Sequence, residues 1–434
     1  MNKNEDLDIN ENENTSENAD ESTSENGNRN RSEKLLNRNF VLMLQGTVVS
    51  LFGSVLYSIA IGYYVYTKTN SEALMGIFSS ISLFITMFLS PITGALADRI
   101  SRKKIIVGMD AFRGIAMIII GILCLNDKLN IPLLTVFTVI VAMSTVMFRP
   151  ASSTVMIDIV PKEEFVRAAS ISSSFQTVVD LISKGISGFL LVYFGVAQLI
   201  IFNGISFIVS AISEYFIDIP KTPKQGSKVS ISIVFKDILE GFKTMIHTKG
   251  LNVLFPMAIL INLCASGMMS LFLVFTTEKG FSIEQYGLLM SVQSLGMFIG
   301  AMIVSIVKIP QSKRHLIMSL AFLISFPSAL IAYMAANYYI IIFFMAFNSM
   351  LSAIANMLLS SSQMILMPEE NRAACIGFLT ASAVGGMAIS TLAYGILAEF
   401  FPISRVASVG LIIAIVPLLI MITNKDLKKT MSGE

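Results

Sequence analysis

Apolar residues fill this chain in twelve long blocks, near positions 40–66, 74–97, 104–125, 132–158, 166–193, 196–216, 251–277, 283–306, 315–336, 338–367, 373–399 and 402–423. An α-helix needs about 20 such residues to cross the hydrocarbon core of a bilayer, and every block reaches that length. The pattern predicts an all-α integral membrane protein with twelve transmembrane helices. Only one internal break is long and polar, and it has six blocks on either side. The expected organisation is a tail over 1–39, a six-helix bundle over 40–216, a linker over 217–250, a second six-helix bundle over 251–423 and a tail over 424–434.

The linker contains its own periodic stretch. In "ISIVFKDILEGFKTMIH", Ile231, Phe235, Ile238, Phe242 and Met245 share one helical face, with Lys236, Asp237, Glu240 and Lys243 elsewhere. Such a helix lies along a membrane surface. The two bundles also echo each other. Gly76 and Gly287 are 211 positions apart, Ser101-Arg102-Lys103 returns as Ser312-Lys313-Arg314 at the same offset, and "PKEEFVRAASI" from Pro161 returns as "PEENRAACI" from Pro368. Two parallel six-helix repeats are implied, an architecture associated with alternating access to a site near the midplane.

Composition agrees and narrows the field. Of 434 residues 54% are hydrophobic and 14% charged, against about 25% charged in soluble domains. Mean hydropathy is +0.72. The net charge of +2 gives no reason to expect a nucleic-acid partner. Placement of the positive charges is more informative. Arg99, Arg102, Lys103 and Lys104 follow the second block, six lysines sit in the linker, and Lys308, Lys313 and Arg314 follow the eighth, whereas the alternate loops hold only Lys68, Lys128 and Lys279. The positive-inside rule then puts both termini in the cytoplasm of a plasma-membrane protein. Residues 2–33 are polar and read as a disordered acidic tail rather than a signal peptide. Cys124, Cys264 and Cys375 lie apart in apolar runs, and His247 and His315 have no ligand-spaced neighbours, so neither a disulfide framework nor a metal is expected. Without G-x-S-x-G, P-loop or H-E-x-x-H, the chain does not read as an enzyme, and no cofactor is implied.

Ionisable residues inside spans cost several kcal/mol and are functional candidates by default. They concentrate in the first bundle: Asp110 and Arg113 in the third span, Arg149 in the fourth, Asp180 and Lys184 in the fifth. Asp180 and Lys184 are four apart and share a face, about 20 Å from the start of their helix. They read either as a proton-coupling carboxylate with its partner or as a static pair. Asp110 is expected to reach Arg149 across helices, as a latch or as a packing pair. Asp158 and Glu214 fall near cytoplasmic helix ends and read as interfacial, and Glu399 reads as an outer-end residue.

One stretch carries a family resemblance. "GALADRISRKK", Gly94 to Lys104, resembles the loop signature G-x-L-x-D-R-x-G-R-K/R of the major facilitator superfamily and falls between the second and third spans, where that family has it. Asp110 with Arg113, and Phe148-Arg149-Pro150-Ala151, further resemble the macrolide-efflux-like branch of drug:proton antiporters. Gly94 and Ala97 permit close helix approach, Asp98 can accept from a neighbouring helix N-terminus or pair with a base, and Arg99, Arg102 and Lys103 hold the loop at an anionic leaflet. Ser101 stands where the family usually has Gly, and Ile309 occupies the position of Asp98 in the second repeat.

The resemblance implies a monomeric secondary transporter that exports small amphipathic or lipophilic compounds in exchange for protons, in contact with membrane lipids. It implies a cavity lined by the first, fourth, seventh and tenth spans, hence by Gly53, Ser54, Tyr57, Arg149, Asn262, Asn348 and Asn356. Met268, Met269, Met345 and Met350 read as filler of helix interfaces before they read as ligand contacts. A lysophospholipid or siderophore transporter of the same fold is an alternative, as is a membrane sensor or scaffold that moves nothing.

Overall fold

The computed structural model describes residues 36–97, 101–161, 164–219, 231–307, 309–368, 372–425 and Lys428. The expected tail over 2–33, Asp98, Arg99, Lys308 and the linker lysines at 221, 224 and 228 lie outside the described residues. All regular structure among the described residues is helical: α1 Arg38–Thr69, α2 Glu72–Ala97, α3 Arg102–Leu125, α4 Ile131–Ile159, α5 Phe165–Phe194, α6 Val196–Tyr215, α7 Ile231–His247, α8 Leu251–Ala265, α9 Gly267–Ser270, α10 Phe272–Glu278, α11 Ile283–Ile306, α12 Gln311–Met334, α13 Tyr338–Leu366, α14 Arg372–Ala398 and α15 Ile403–Thr423. Twelve helices are long and apolar enough to cross a membrane, as the block pattern requires, with α8 and α9 counted as one span and α7 the linker helix.

Helix starts follow local side-chain chemistry. Asn37 and Asn130 accept from the amides of Phe40 and Leu133 at 2.8 and 2.9 Å, and Ser282 with Gln285 closes a reciprocal capping box. Each satisfies amides that the first turn leaves unpaired.

The packing repeats with an offset of one half. In the first half α1 packs on α5 and α6, α2 on α4, and α3 on α4 and α6; in the second half α8 packs on α14 and α15, α11 on α13, and α12 on α13 and α15. The most extensive contacts between the halves, among the described residues, join α2 with α14 and α5 with α11. The most extensive packing joins α3 to α6, where a Cβ on Gly114 would stand 2.9 Å from the Gly204 carbonyl oxygen and one on Gly204 would stand 2.8 Å from that of Gly114. Lipid offers no hydrophobic drive between helices, so backbone approach at small residues supplies the attraction.

The two ends of the bundle differ. At the end away from the termini, one continuous apolar cluster combines Tyr64, Met75, Phe78, Met117 and Ile200 of the first half with Phe272, Phe275, Tyr286, Met345 and Tyr394 of the second. At the end that carries the termini the clusters are separate. Phe40, Ile106, Val155 and Ile217 belong to the first half alone, and Leu254, Met318, Phe322 and Leu418 to the second alone. The core is shared at the far end and divided at the near end, so the halves part toward the termini.

Candidate functional site: a cleft between the halves

Helix α5 shows what lies between the divided cores. Phe175, Val178, Ile182, Ile186 and Phe189 recur at helical spacing and are all exposed, which makes one face apolar and unpacked. The opposite face carries Ser173, Thr177, Asp180 and Lys184 at the same period, exposed or half-buried. A helix bare on two opposite faces, one greasy and one polar, borders two solvents. The apolar face suits lipid and the polar face a water-filled cleft.

Asp180 and Lys184 sit toward the closed end of that polar face. Lys184 Nζ donates to Asp180 Oδ2 at 2.7 Å, with side-chain exposures of 22% and 39%, so the pair is neither sealed nor fully solvated. At the next residue, Ser291 Oγ of α11 donates to the Gly185 carbonyl at 3.0 Å, and one turn farther on Gly188 lies against Gly287. The ion pair therefore lies where the halves come together.

The seventh span is broken, which its apolar run did not reveal. Helix α8 stops at Ala265, and Leu271 separates α9 from α10. The freed backbone groups are taken up by α14: the Gly267 amide donates to Ser390 Oγ at 2.8 Å and the Tyr394 hydroxyl donates to the Cys264 carbonyl. Gly267 lets the Tyr394 ring approach; a Cβ there would stand 2.6 Å from the Ser390 carbonyl oxygen. Discontinuous helices of this kind mark substrate sites in transporters.

The expected cavity residues divide. Asn262 lies half-buried just before the break and accepts from Ser266 Oγ at 3.3 Å, Asn348 is half-buried on α13, and Asn356 is exposed one turn beyond Ser352, whose carbonyl it bonds at 2.8 Å. Ser54 and Tyr57 are half-buried on α1, with Ser54 Oγ donating to the Ser50 carbonyl at 2.7 Å. Arg149 is exposed on α4 and makes no ion pair among the described residues. Gly53 is a correction. It is buried against α6, where a Cβ would meet Asn203 Oδ1 at 2.7 Å, so it serves packing within the first half instead of facing the cleft. Met268 and Met345 are buried filler, Met350 packs on the second-half core, and Met269 alone of the four is exposed.

The expected bridge from Asp110 to Arg149 is also corrected. Asp110 pairs with Arg113, one turn along the same helix, because the i, i+3 spacing puts both on the face that α6 covers. The Arg113 guanidinium lies 4.4 Å from the ring centres of both Phe148 on α4 and Phe207 on α6 and reaches Thr145 Oγ1 at 3.4 Å. Glu214 is a third correction. It is 1% exposed near the end of α6 and lies within the field of Asp110 and Arg113, so protein covers it where open solvent was expected.

Of the loop signature, Asp98 and Arg99 lie outside the described residues, and Gly94 lies in the last turns of α2. Arg102 pairs with Asp158 at the end of α4. Lys103 Nζ donates to the Ile217 carbonyl at 2.8 Å and lies 5.4 Å from the Tyr215 ring centre, fastening the start of α3 to the end of α6. At the far end Glu399, past the last turn of α14, accepts from the Ser71 hydroxyl and from the Ala73 amide at 3.0 Å, so it caps α2 across the two halves. Those bonds, the Ser71 one foremost, hold its carboxyl below the usual carboxylate range.

Two six-helix halves with a repeated packing pattern and a cleft between them form a recognisable architecture, and the sequence profile of the Major Facilitator Superfamily matches residues 43–373. The chain belongs to the major facilitator superfamily. It is thereby a multi-pass membrane transporter of small molecules and not an enzyme. Among relatives, it is 25% identical over 300 residues to the uncharacterized MFS-type transporter YkuC of Bacillus subtilis (strain 168), covering 67% of this chain and 69% of that one. It is 24% identical over 206 residues to macrolide efflux protein A of Streptococcus pyogenes, covering 48% of this chain and 51% of that protein, so the match spans about half of each. Among solved structures, the nucleoside transporter NupG aligns with a TM-score of 0.68 at 14% identity, over 88% of this chain and 100% of that one. A bacterial homologue of the lysosomal transporter Spinster, inward-facing and unoccupied, aligns at 0.65 and 15% identity, over 91% and 97%. At such identities these structures share the fold alone.

Proposed function

We propose that this superfamily transporter exports small amphipathic or lipophilic compounds, of the drug or macrolide kind, from the cytoplasm by alternating access in exchange for protons. The observation that carries the reading is the two-faced α5: its polar stripe gives a solute a wetted route between halves whose shared apolar core, among the described residues, lies at the far end. Arg102, Lys103, Lys104, Lys313 and Arg314 all stand at the near end, so the positive-inside rule makes that end cytoplasmic, in the plasma membrane, and the state inward-open. The units 40–216 and 251–423 are the bodies that rock.

Asp180 is the coupling carboxylate in this scheme. Its partner Lys184 shares its helix and travels with it, while water reaches the pair from the near end in one state and from the far end in the other. A proton taken from one side leaves on the other, and substrate moves the opposite way. Arg149, a bare cation within a span, belongs on the wetted side because lipid would not tolerate it, and there it meets the anionic or polar part of a substrate. Efflux by the macrolide relative supports the direction. A lysophospholipid or siderophore as cargo is the second reading, favoured by the same mixed-polarity walls.

The test is transport in proteoliposomes. An imposed proton gradient should drive uptake of a fluorescent lipophilic dye into inside-out-oriented vesicles, and Asp180→Asn should abolish the driven component while preserving dye exchange at equilibrium. Dye flux indifferent to the gradient in the wild type would refute proton antiport. Counterflow with macrolide, lysophospholipid and siderophore competitors assigns the cargo, and the absence of any flux, with normal partner binding through residues 2–33, would identify a sensor or scaffold instead.

A further inference from the structure

Helices α1, α3 and α6 enclose a polar seam that the transport cleft does not use. Along α6 the face turned inward reads Asn203, Ser206, Ser210, Glu214, and each of these side chains is at most 2% exposed. On α3 the matching residues are Asp110, which is wholly buried, and Arg113. Gly46 of α1 closes the third side; a Cβ there would stand 2.9 Å from Ser210 Oγ.

Charge does not balance in this seam. Two carboxylates, Asp110 and Glu214, face a single guanidinium, that of Arg113. Arg113 is already committed to Asp110 Oδ1 and held between two aromatic rings. Left over are Asp110 Oδ2, Glu214 Oε2 and Ser210 Oγ, buried oxygens without a hydrogen-bond partner; Ser210 lies alongside the carboxylate but outside good hydrogen-bond geometry. The other charged groups nearby do not fill the deficit. Arg149 on α4 is exposed and acts on Arg113 rather than on either carboxylate, Lys103 is engaged with the Ile217 carbonyl, Arg102 with Asp158, and α1 presents glycines on this face. An uncompensated carboxylate in a low-dielectric interior is costly, and a bound cation removes the cost.

We propose that Glu214, Asp110 and Ser210 form a buried site for one small monovalent cation, a proton or a sodium ion, inside the first half. The three oxygens supply hard, anionic or hydroxyl donors, the chemistry either cation needs. Because α3 and α6 are locked at Gly114 and Gly204, the site lies within one rigid half and stays assembled while the halves rock. Its cation therefore stabilises that half in every state, unlike the exchangeable proton assigned to Asp180.

The site is tested on the purified full-length protein without any transport substrate, so the result is independent of the export reading. Thermal unfolding midpoints are compared for wild type and Glu214→Gln, which keeps the side chain's size, across a pH series in choline chloride and across replacement of choline by sodium at constant ionic strength. The wild-type midpoint should rise with the bound cation, and the Gln variant should lose that rise. Loss confined to the pH series identifies a proton; loss confined to the sodium series identifies sodium. Identical responses in the two proteins, or none in either, overturn the site. Should the variant fail to fold, infrared spectra of the wild type with isotope-labelled glutamate decide: a protonated, water-shielded carboxylic acid band supports the proton, a sodium-dependent carboxylate band supports sodium, and neither band refutes both.

Discussion

The two seams between the halves share a geometry and differ in chemistry. In each, glycine meets glycine: a Cβ on Gly76 would stand 2.8 Å from Gly395 Cα, and one on Gly188 would stand 2.8 Å from Gly287 Cα. The repeat makes this symmetry expected, since α2 and α11 are counterparts, as are α5 and α14. What flanks the glycines breaks it. The α5/α11 seam ends, on the cleft side, in the Asp180–Lys184 pair; the α2/α14 seam ends at the far surface in Glu399 and the α2 amides. One seam carries charge into the cleft and the other carries it out to the far surface.

The largest effect should come from filling a seam. Gly188→Leu puts a side chain where backbone atoms already stand under 3 Å from a Cβ, and overpacked interiors do not deform smoothly. The far end should fail to close, transport should fall about 100-fold, the equivalent of roughly 2.7 kcal/mol, and a cysteine introduced near Gly287 should become open to a water-soluble thiol reagent. Gly76→Leu should do the same if the seams are mechanically equivalent; a silent substitution at either one breaks the symmetry.

Tyr394→Phe probes the broken seventh span with a smaller change. It deletes the hydroxyl that satisfies the Cys264 carbonyl, a loss of about 1 kcal/mol. A several-fold rise in KM with kcat held, read in dye transport, is the expected outcome. Equal loss in both parameters would assign Tyr394 to the conformational change instead.

The smallest effect belongs to Glu399. Its carboxyl is held below the usual range when the far end is closed, so the contact is fully present above the ordinary carboxylate value and is lost as pH at the far surface falls through the lowered one. Acidifying that side alone should shift the equilibrium toward far-end opening by a factor of about two to five, as exposed charged contacts generally do. Fluorescence from a donor and acceptor across loops 69–72 and 399–402 reads the shift, and Glu399→Gln should remove its pH dependence.

Much of this was legible in the sequence because lipid makes length and hydropathy decisive. Helix bounds such as Ile283–Ile306 coincide with the apolar blocks, and the repeat seen in Gly76 and Gly287 recurs as two seams. What escaped were facts of facing. Gly53 and Asp110 turn toward α6 because of how α1 and α3 rotate in the bundle, which no single helix encodes. Glu214, one residue before Tyr215 ends its helix, looked interfacial by position, yet α1 and α3 cover it. The break after Ala265 leaves no proline to announce it; only Gly267 hints at it, and its partners lie more than a hundred residues away on α14. The polar stripe of α5, by contrast, was half legible: the spacing of Asp180 and Lys184 put both on one face, and exposed Ser173 and Thr177 extend that face in the structure.

Where the halves touch most closely there is no side chain at all. A junction built of bare backbone is blind to cargo: it can open and shut for any molecule without knowing which one passes. Selectivity is thus free to drift along the walls nearer the open end while the shutter is left alone, and descendants of one such chain can change what they carry without relearning how to move.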